Sequence, residues 1–375
     1  MTIPLGYWRP GDDPGSRHFV TFPGPDGAGF TLEGGGHLDE VTVAYETWGT
    51  LNPERSNAVL VEHALTGDSH AVGETGPGQL TPGWWNGLIG PGLGVDTNRW
   101  FVVCSNVLGG AHGTTGPSSL DRAGRHYGSR FPVITVRDQV AVEVELANHL
   151  GIATWRSVIG GSMGGMRSLE WTIGYPERVA SSVVLSVGAA STSEEIAHSA
   201  LQVRAIKADP AFHGGDYYDT GDAPLAGLAI ARGLGQITYR TGDEFEARFG
   251  RSAQNNGDVL NDDIYAIESY LGYQGEKLAR RFDANSYVVL SEAMNHHDVG
   301  RGRGGIARAL ATVTSPMTVI GIDSDRLYPL RLQRQIVELV SSATPLSVIT
   351  SSVGHDGFLL EVEQIGKIIK SALEE

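Results

Sequence analysis

Cysteine is almost absent from the 375-residue sequence, which contains only Cys104. A single thiol cannot form an intrachain disulfide, so the apolar core has to stabilise the fold without cross-links. Cys104 follows the apolar residues 100–103, a run that predicts a buried strand. We therefore interpret Cys104 as a small core residue and not as a catalytic thiol.

Basic residues are also scarce, since 28 Lys and Arg against 43 Asp and Glu give a formal net charge of −15. The phosphates of nucleic acids and anionic membrane surfaces repel such a chain, so we expect neither as a partner. No apolar run is long enough for a membrane helix. Residues 1–8 lack the basic start and apolar core of a signal peptide. These absences favour a cytoplasmic protein.

Glycine, in contrast, is abundant, with 51 residues. The most informative glycine-containing pattern is GGSMG at 160–164. Residues 157–159 before the pattern are strand-like, and residues 166–171 after it are compatible with a helix. A strand, a sharp turn and a helix are the context in which G-x-S-x-G forms a nucleophile elbow. Glycines at both ends remove side chains that would clash at such a bend. Ser162 is therefore the candidate nucleophile, and a tight turn with a solvated serine is the alternative.

Strand and helix patterns alternate over most of the chain, which indicates an α/β protein with a mostly parallel sheet covered on both faces. The predicted strands are 41–49, 58–62, 100–104, 157–159, 182–187, 317–322 and 346–350, and the predicted covering helices are 140–150, 163–171, 330–341 and 361–375. Residues up to 36 are rich in Gly, Pro and Asp and predict a loosely structured arm with one short strand at 29–33.

Strand patterns are missing from residues 190–308, where helical segments predominate instead. These predicted helices are 196–207, 225–234, 243–249, 264–281 and 287–294. We interpret residues 190–308 as a helical lid inserted into a core that residues 1–189 and 309–375 form together.

A serine hydroxyl needs a base that accepts its proton during nucleophilic attack. Functional groups of an open α/β sheet gather where the carboxyl ends of the strands meet loops. Two such ends follow Ser162 in the chain, at 323–329 and 354–358. We predict His355 in the second as the general base; a turn histidine with local hydrogen bonds is the alternative.

In folds with a nucleophile elbow, the catalytic residues follow the chain order Ser, Asp, His. We therefore expect a carboxylate at a sequence position between Ser162 and His355. Asp325 is our candidate because the turn that follows it would hold its side chain at the end of the strand. Asp323 is the alternative. Asp356 is adjacent to His355 and so is better placed to face a substrate than to orient the imidazole.

Acyl transfer also requires hydrogen-bond donors for the oxyanion that develops on the carbonyl oxygen. One predicted donor is the backbone N–H of Met163, directly after the nucleophile. We assign the second to the backbone N–H of Leu65, in the loop that follows the strand at 58–62.

Two further groups of residues are given no catalytic role. Several histidines lack the short spacings of a zinc site, so we expect no metal; they are His63, His70, His112, His296 and His297. Arg301 and Arg303 lie in a glycine-rich segment that we interpret as a solvated loop, with contact to substrate phosphates as the alternative.

Taken together, the motifs resemble the homoserine O-acetyltransferase family, from about residue 41 to the C-terminus. The residues that carry this resemblance are HALTGDSH (63–70), PGWW (82–85), GPG (90–92), CSNVLG (104–109), GGSMGGM (160–166) and GHDGF (354–358). The resemblance implies the α/β-hydrolase fold and a role in methionine biosynthesis. It also implies ping-pong transfer of acetyl from acetyl-CoA, through an acetyl ester on Ser162, to the γ-hydroxyl of L-homoserine. Acetyl-CoA is a substrate here, and no cofactor is implied.

The same resemblance assigns the acceptor site and the assembly. Arg232, in a matching segment of the lid, would pair with the carboxylate of homoserine, and Tyr239 would line the same pocket. Asp356 would hold the amino group. The family also implies a homodimer.

Related activities remain open at this point. Relatives transfer succinyl or use serine as the acceptor, and we interpret Gly92 as favouring acetyl because a side chain there would alter the acyl pocket. A plain esterase of the same fold and a non-catalytic ligand-binding protein are two further hypotheses for a chain with these motifs.

Overall fold

A computed structural model describes residues 6–374 of the chain. Two parts of the chain lie outside these residues. They are Met1–Leu5, which belong to the predicted arm and to the segment tested as a signal peptide, and Glu375, which ends the predicted last helix. The strands are β1 (His18–Phe22), β2 (Phe30–Thr31), β3 (His37–Leu38), β4 (Val41–Trp48), β5 (Ala58–Glu62), β6 (Ile89–Gly90), β7 (Val95–Asp96), β8 (Phe101–Ser105), β9 (Ser157–Gly161), β10 (Ser182–Leu185), β11 (Met317–Ile322) and β12 (Ser347–Ile349).

One large sheet organises the described residues, with its strands in the order β1-β4-β8-β5-β9-β10-β11-β12. β4 pairs antiparallel with both β1 and β8, and the other neighbours in this sheet are parallel. The remaining strands form two small pairs, β2 with β3 and β6 with β7. The predicted mostly parallel α/β fold is confirmed.

The helices connect and cover these strands. They are α1 (Val136–His149), α2 (Met163–Gly174), α3 (Ser193–Lys207), α4 (Leu225–Tyr239), α5 (Gly242–Phe249), α6 (Ala266–Ala279), α7 (Ala284–Asn295), α8 (Ile306–Leu310), α9 (Leu330–Leu339), α10 (Gly357–Leu360) and α11 (Val362–Glu374).

Alternate residues of the central strands face different helical layers, as the two-residue period of a strand requires. Leu60 of β5 packs in one apolar cluster with Trp171 of α2. Val59 and Val61 pack in another cluster with Ile365 of α11. Because both faces are covered, the whole of β5 is buried, which explains why its sequence is an apolar run without alternation.

Residues between β10 and β11 form α3–α8 and contribute no strand to the described sheet. Their apolar side chains have a cluster of their own, which includes Ile206, Leu228 and Tyr287 and extends to Leu65 and Met163. The helices therefore pack directly over the end of the sheet where the candidate nucleophile lies. The exact boundaries of this unit, at 190 and 308, remain a prediction.

The interpretation of the N-terminal segment is wrong in one respect. Residues His18–Phe22 form β1, an antiparallel edge strand in register with β4, with His18 opposite Tyr45. The short apolar signal of Phe19, Val20 and Phe22 is flanked on both sides by Gly, Pro and Asp residues, which predict loops. Pairing with β4 and the packing of Phe22 and Val20 on the apolar core together hold the strand in place. No helix among residues 6–374 combines the length and apolar character needed to cross a membrane.

Candidate active site

Ser162 occupies the bend between β9 and α2, with φ 57° and ψ −125°. A positive φ is uncommon for a residue other than glycine and costs on the order of 1–3 kcal/mol. The neighbouring glycines permit the bend: a Cβ at Gly160 would overlap the backbone of Gly164, and a Cβ at Gly164 would overlap the carbonyl group of Glu62. The predicted sequence of strand, sharp turn and helix is thus present, with the hydroxyl at its apex.

Three of the predicted site residues form one hydrogen-bonded chain. The Ser162 hydroxyl lies 2.9 Å from Nε2 of His355, and Nδ1 of His355 lies 2.7 Å from Oδ2 of Asp325. All three residues are buried. With Nδ1–H donating to the carboxylate, Nε2 is free to accept the serine proton, which is the arrangement that acyl transfer by a serine requires.

The structure also distinguishes the two candidate carboxylates. Oδ1 of Asp325 accepts hydrogen bonds from the backbone N–H groups of Leu327 and Tyr328, at 2.9 and 2.8 Å. These two donors leave Oδ2 directed at the imidazole. Oδ1 of Asp323 instead accepts from the backbone N–H of Ser351 at 3.0 Å, which joins the loops after β11 and β12.

The electrostatic surroundings of His355 favour a basic imidazole. Burial favours the neutral ring, but the Asp325 carboxylate outweighs this effect and raises the pKa of His355 above its ordinary value. The rings of Tyr328, Phe358 and Tyr239 surround the imidazole, with centroids 5.1, 5.2 and 5.9 Å away. These rings limit its rotation.

The two predicted oxyanion donors flank the nucleophile. Met163 is the first residue of α2, so its N–H has no acceptor inside the helix. Leu65 lies in the loop after β5 and lines the same cavity as Ser162. Within residues 6–374, neither backbone N–H donates a hydrogen bond to another protein group.

The predicted acceptor residues converge on the cavity that contains Ser162 and His355, because Arg232, Tyr239 and Asp356 all line it. The guanidinium carbon of Arg232 lies 5.4 Å from the ring centroid of Tyr239. With the Gln236 amide oriented so that its nitrogen donates to Tyr270, its oxygen accepts from Nη2 of Arg232 at 2.9 Å. Arg232 is thus held in place by neutral groups, and its charge is available to an anion.

Two residues that are absent from the sequence-based predictions belong to this site. Glu195 lines the cavity and completes a capping box with Thr192 at the start of α3; the spacing of these two residues was the available signal. Burial raises the pKa of Glu195 to about 7. The other residue is Arg240, whose Nε lies 2.9 Å from Oδ2 of Asp356, a contact between distant segments that no local pattern indicates.

One prediction about the acyl pocket is wrong. Gly92 is exposed, does not line the cavity of Ser162, and has open space where a Cβ would be. It adopts φ 76° in a turn where its N–H donates to Asp96. Glycine at this position serves the turn, so it gives no information on the acyl group.

The other groups singled out from the sequence lie elsewhere. Arg301 pairs with Glu33 and Arg303 with Glu170, and neither arginine lines the cavity of Ser162. Cys104 is fully buried in β8, where burial raises the pKa of its thiol. Among residues 6–374, no group of His, Cys, Asp or Glu has the arrangement of a metal site.

Comparison with known proteins gives consistent matches. A family model described as "alpha/beta hydrolase fold" matches residues 57–362. A homoserine O-acetyltransferase from Thermobifida fusca is 54% identical over 99% of this chain and 97% of that protein.

Two solved structures are similar over almost the whole chain. Homoserine O-acetyltransferase from Bacillus anthracis has a TM-score of 0.87 and 28% identity, covering 96% of this chain and 97% of that one. The esterase E22 has a TM-score of 0.85 and 29% identity, covering 95% of this chain and 99% of that one.

Proposed function

The chain belongs to the α/β-hydrolase family and, within it, to the homoserine O-acetyltransferases, and we propose that Ser162, His355 and Asp325 carry out the acetyl transfer. The observation that carries the assignment is the 2.9 Å contact between the Ser162 hydroxyl and Nε2 of His355. This contact lies in a cavity that also contains Arg232 and Asp356, a cation and an anion suited to an amino acid.

In the first half-reaction, Ser162 Oγ attacks the thioester carbonyl of acetyl-CoA while its proton moves to Nε2 of His355. The negative charge that develops on the carbonyl oxygen is stabilised by the N–H groups of Leu65 and Met163. The carbon–sulfur bond then breaks, and the departing thiolate takes the proton from His355. The product is acetyl-Ser162 and free CoA.

In the second half-reaction, the γ-hydroxyl of L-homoserine attacks acetyl-Ser162 and transfers its proton to His355. The ester bond to Ser162 breaks, and the serine oxygen recovers the proton from the imidazole. Asp325 stabilises the imidazolium that forms in each half-reaction. This route needs no metal or organic cofactor. The product, O-acetylhomoserine, fits a place in methionine biosynthesis.

Acceptor recognition is assigned to three cavity residues. Arg232 would bind the carboxylate of homoserine, since its planar guanidinium can donate two parallel hydrogen bonds. Asp356 would hold the ammonium group through Oδ1, because Oδ2 already accepts from Arg240. Tyr239 would form the wall next to Arg232, and burial raises the pKa of its phenol, which keeps the ring neutral.

The helices α3–α8 would restrict water. An acyl-enzyme that transfers its acetyl group must react with homoserine faster than with water, so the cavity should be closed except to substrates. Ser162 is only 5% exposed beneath these helices.

We also propose that the protein acts as a homodimer in the cytoplasm. The helices over the site expose large apolar side chains to solvent, which a second copy would cover; these are Leu201, Ile230, Ile237 and Tyr273. Sedimentation should give a dimer, and Ile230→Asp should shift it toward the monomer. The single cysteine is consistent with a reducing compartment.

An assay of CoA release tests the proposed function. Acetyl-CoA should give sustained CoA release only when homoserine is present, and succinyl-CoA or serine as acceptor should be poor substitutes. Fast hydrolysis of p-nitrophenyl acetate without any response to homoserine would instead indicate an esterase like the structural neighbour E22. A protein that releases CoA from neither donor and does not hydrolyse p-nitrophenyl acetate would contradict any catalytic role.

Arg232→Ala tests the acceptor site. We expect a higher KM for homoserine, because the carboxylate loses its charged partner, with a smaller effect on the burst of CoA that accompanies the acetylation of Ser162. If both half-reactions of this variant match those of the wild type, the assignment of Arg232 is wrong.

A further inference from the structure

The carbonyl group of Ala64 is held by two donors. Nδ1 of His63 lies 2.8 Å from its oxygen, and the backbone N–H of Gly67 donates to the same oxygen at 2.9 Å. A Cβ at Gly67 would come within 2.9 Å of the Cβ of His63, so this position is packed tightly against the imidazole. The orientation of the peptide group between residues 64 and 65 is thus fixed from its carbonyl side.

This constraint determines the direction of a predicted oxyanion donor. In a trans peptide the C=O and N–H bonds point in opposite directions, and no peptide bond among residues 6–374 is cis. Fixing the Ala64 carbonyl therefore fixes the Leu65 N–H. We propose that His63 is a positioning residue that sets the Leu65 N–H toward the oxyanion by holding the Ala64 carbonyl. This inference rests on the proposed function, since it presupposes an oxyanion on an acyl carbonyl.

The tautomer of His63 is set by a third contact. The backbone N–H of Val107 lies 3.1 Å from Nε2 and donates to it, so Nε2 carries no hydrogen and Nδ1 carries the one that reaches Ala64. Burial and the nearby charge of Arg167 lower the pKa of His63 to about 3, against the smaller opposing effects of the hydrogen bond to Ala64 and of Asp68. The ring therefore stays neutral, with one donor and one acceptor, throughout the working pH range.

Two arginines hold the loop on either side of the peptide group between residues 64 and 65. Nη2 of Arg167, which lies on the helix that follows the nucleophile, donates to the carbonyl oxygen of His63 at 2.6 Å. Nη1 of Arg281 donates to the carbonyl oxygen of Thr66 at 3.1 Å. These arginines fix the residues on either side but do not touch the 64–65 peptide itself. Its orientation depends on His63 and on the turn closed by Gly67.

Two substitutions separate the roles of the two ring nitrogens. An asparagine amide can place an N–H near the position of Nδ1, and a glutamine amide can place an acceptor near that of Nε2. His63→Asn therefore keeps the donor to Ala64 and loses the acceptor for Val107, whereas His63→Gln keeps the acceptor and loses the donor. If His63 only supports the Val107 loop, glutamine should be the better substitute.

The test measures the rate of acetyl-Ser162 formation, kcat and KM with acetyl-CoA and homoserine, and the inhibition constant of a phenylboronic acid, which forms a tetrahedral adduct on serine. For His63→Gln we expect kcat to fall by up to about 100-fold, because the oxyanion loses an aligned donor. Both half-reactions should slow while each KM changes little, and the boronic acid should bind more weakly. His63→Asn should lie closer to the wild type in all these readouts.

The proposal is overturned if the kcat of His63→Gln equals or exceeds that of His63→Asn while the two variants have comparable melting temperatures. A second measurement is independent of variant folding: ¹⁵N NMR of the wild-type imidazole should show a neutral Nδ1–H tautomer from pH 5 to pH 9, and an Nε2–H tautomer would equally refute the role. Failure of the proposed function is a separate outcome, since the wild-type protein would then not transfer acetyl to homoserine.

Discussion

Nε of Arg240 lies 2.9 Å from Oδ2 of Asp356. Arg240 directly follows α4, and Asp356 directly follows His355, so this ion pair joins the helices over the cavity to the loop that carries the general base. Both side chains are mostly shielded from solvent, at 16% and 15% exposure, so the interaction is stronger than that of a surface pair. Because Arg240 contacts Oδ2 of Asp356, the pair fixes which of the two carboxylate oxygens can face a substrate.

Arg240→Gln should therefore weaken the binding of homoserine more than it slows the acetylation of Ser162. We expect KM for homoserine to rise by about tenfold, because Asp356 loses a charge-assisted hydrogen bond worth roughly 1.5 kcal/mol. Steady-state kinetics and the burst of CoA release measure the two effects. The matched control is Arg248→Gln, because Arg248 is more exposed and, like Arg240, pairs with Glu244. Equal changes in the two variants would contradict this prediction.

Asp325→Asn should affect both the rate and its pH dependence. The amide cannot stabilise the imidazolium and favours the wrong tautomer, so kcat should fall by about 10⁴-fold. His355 must be neutral to accept a proton, so activity declines as pH falls through its pKa. Because Asp325 raises that pKa, its removal should move the acidic limb of the kcat/KM profile to lower pH. A limb that stays in place would show that another group controls it.

Much of the core and of the hydrogen-bonded chain at Ser162 was predictable, because both depend on local patterns. The strands Ala58–Glu62 and Met317–Ile322 are apolar runs that coincide with their predicted bounds. The glycines of the pattern at 160–164, between a predicted strand and a predicted helix, indicate the bend at Ser162. His355 and Asp325 follow from the rule that functional groups gather at the carboxyl ends of parallel strands.

The missed features depend on contacts between distant segments. β1 pairs with the edge of β4, and its short apolar run lies between Gly-, Pro- and Asp-rich residues that predict loops. Arg240 and Asp356 are separated by 116 positions in the chain, so no spacing rule relates them. Gly92 was misassigned because a motif does not distinguish a glycine needed for a turn from one needed for a pocket.

Glu195→Gln should change the pH dependence of both activity and stability. Burial raises the pKa of Glu195 to about 7, and its charge contributes to the raised pKa of His355. Glutamine can still complete the capping box but carries no charge. The kcat/KM profile should therefore lose a group that titrates near pH 7, and the group assigned to His355 should titrate at lower pH.

The sign of the stability effect follows from proton binding. Folded Glu195 keeps its proton up to about pH 7, whereas the unfolded carboxyl loses it near pH 4.5. The stabilising contribution of this group is thus fully present below pH 4.5 and is lost as pH rises through 7. Relative to the wild type, Glu195→Gln should gain up to about 3 kcal/mol in free energy of unfolding between these pH values. Urea titrations at pH 4.5 and 8, with exposed Glu194→Gln as the control, measure this gain, and a constant difference would refute it.

Arg167 is a cation buried together with the two carboxylates Glu62 and Glu143. Its Nη1 contacts a carboxylate oxygen of each, at 2.5 and 2.6 Å, and its Nη2 reaches the carbonyl oxygen of His63. One cation faces two carboxylates, so one of the two should retain a proton. Burial, reinforced by Glu143 and opposed by Arg167, raises the pKa of Glu62 well above its ordinary value.

Arg167→Met should destabilise the protein by about 3–5 kcal/mol, because it leaves buried carboxylates without their counter-charge. The loss should be larger at pH 8 than at pH 5, since protonation of Glu62, whose pKa is raised, removes part of the unpaired charge at lower pH. Arg167→Met/Glu143→Gln should recover part of the stability, and exposed Arg334→Met should leave it unchanged. Urea unfolding at the two pH values measures these differences. If the single variant were equally destabilised at both pH values, the cause would be the lost packing of a large side chain and not an uncompensated buried charge.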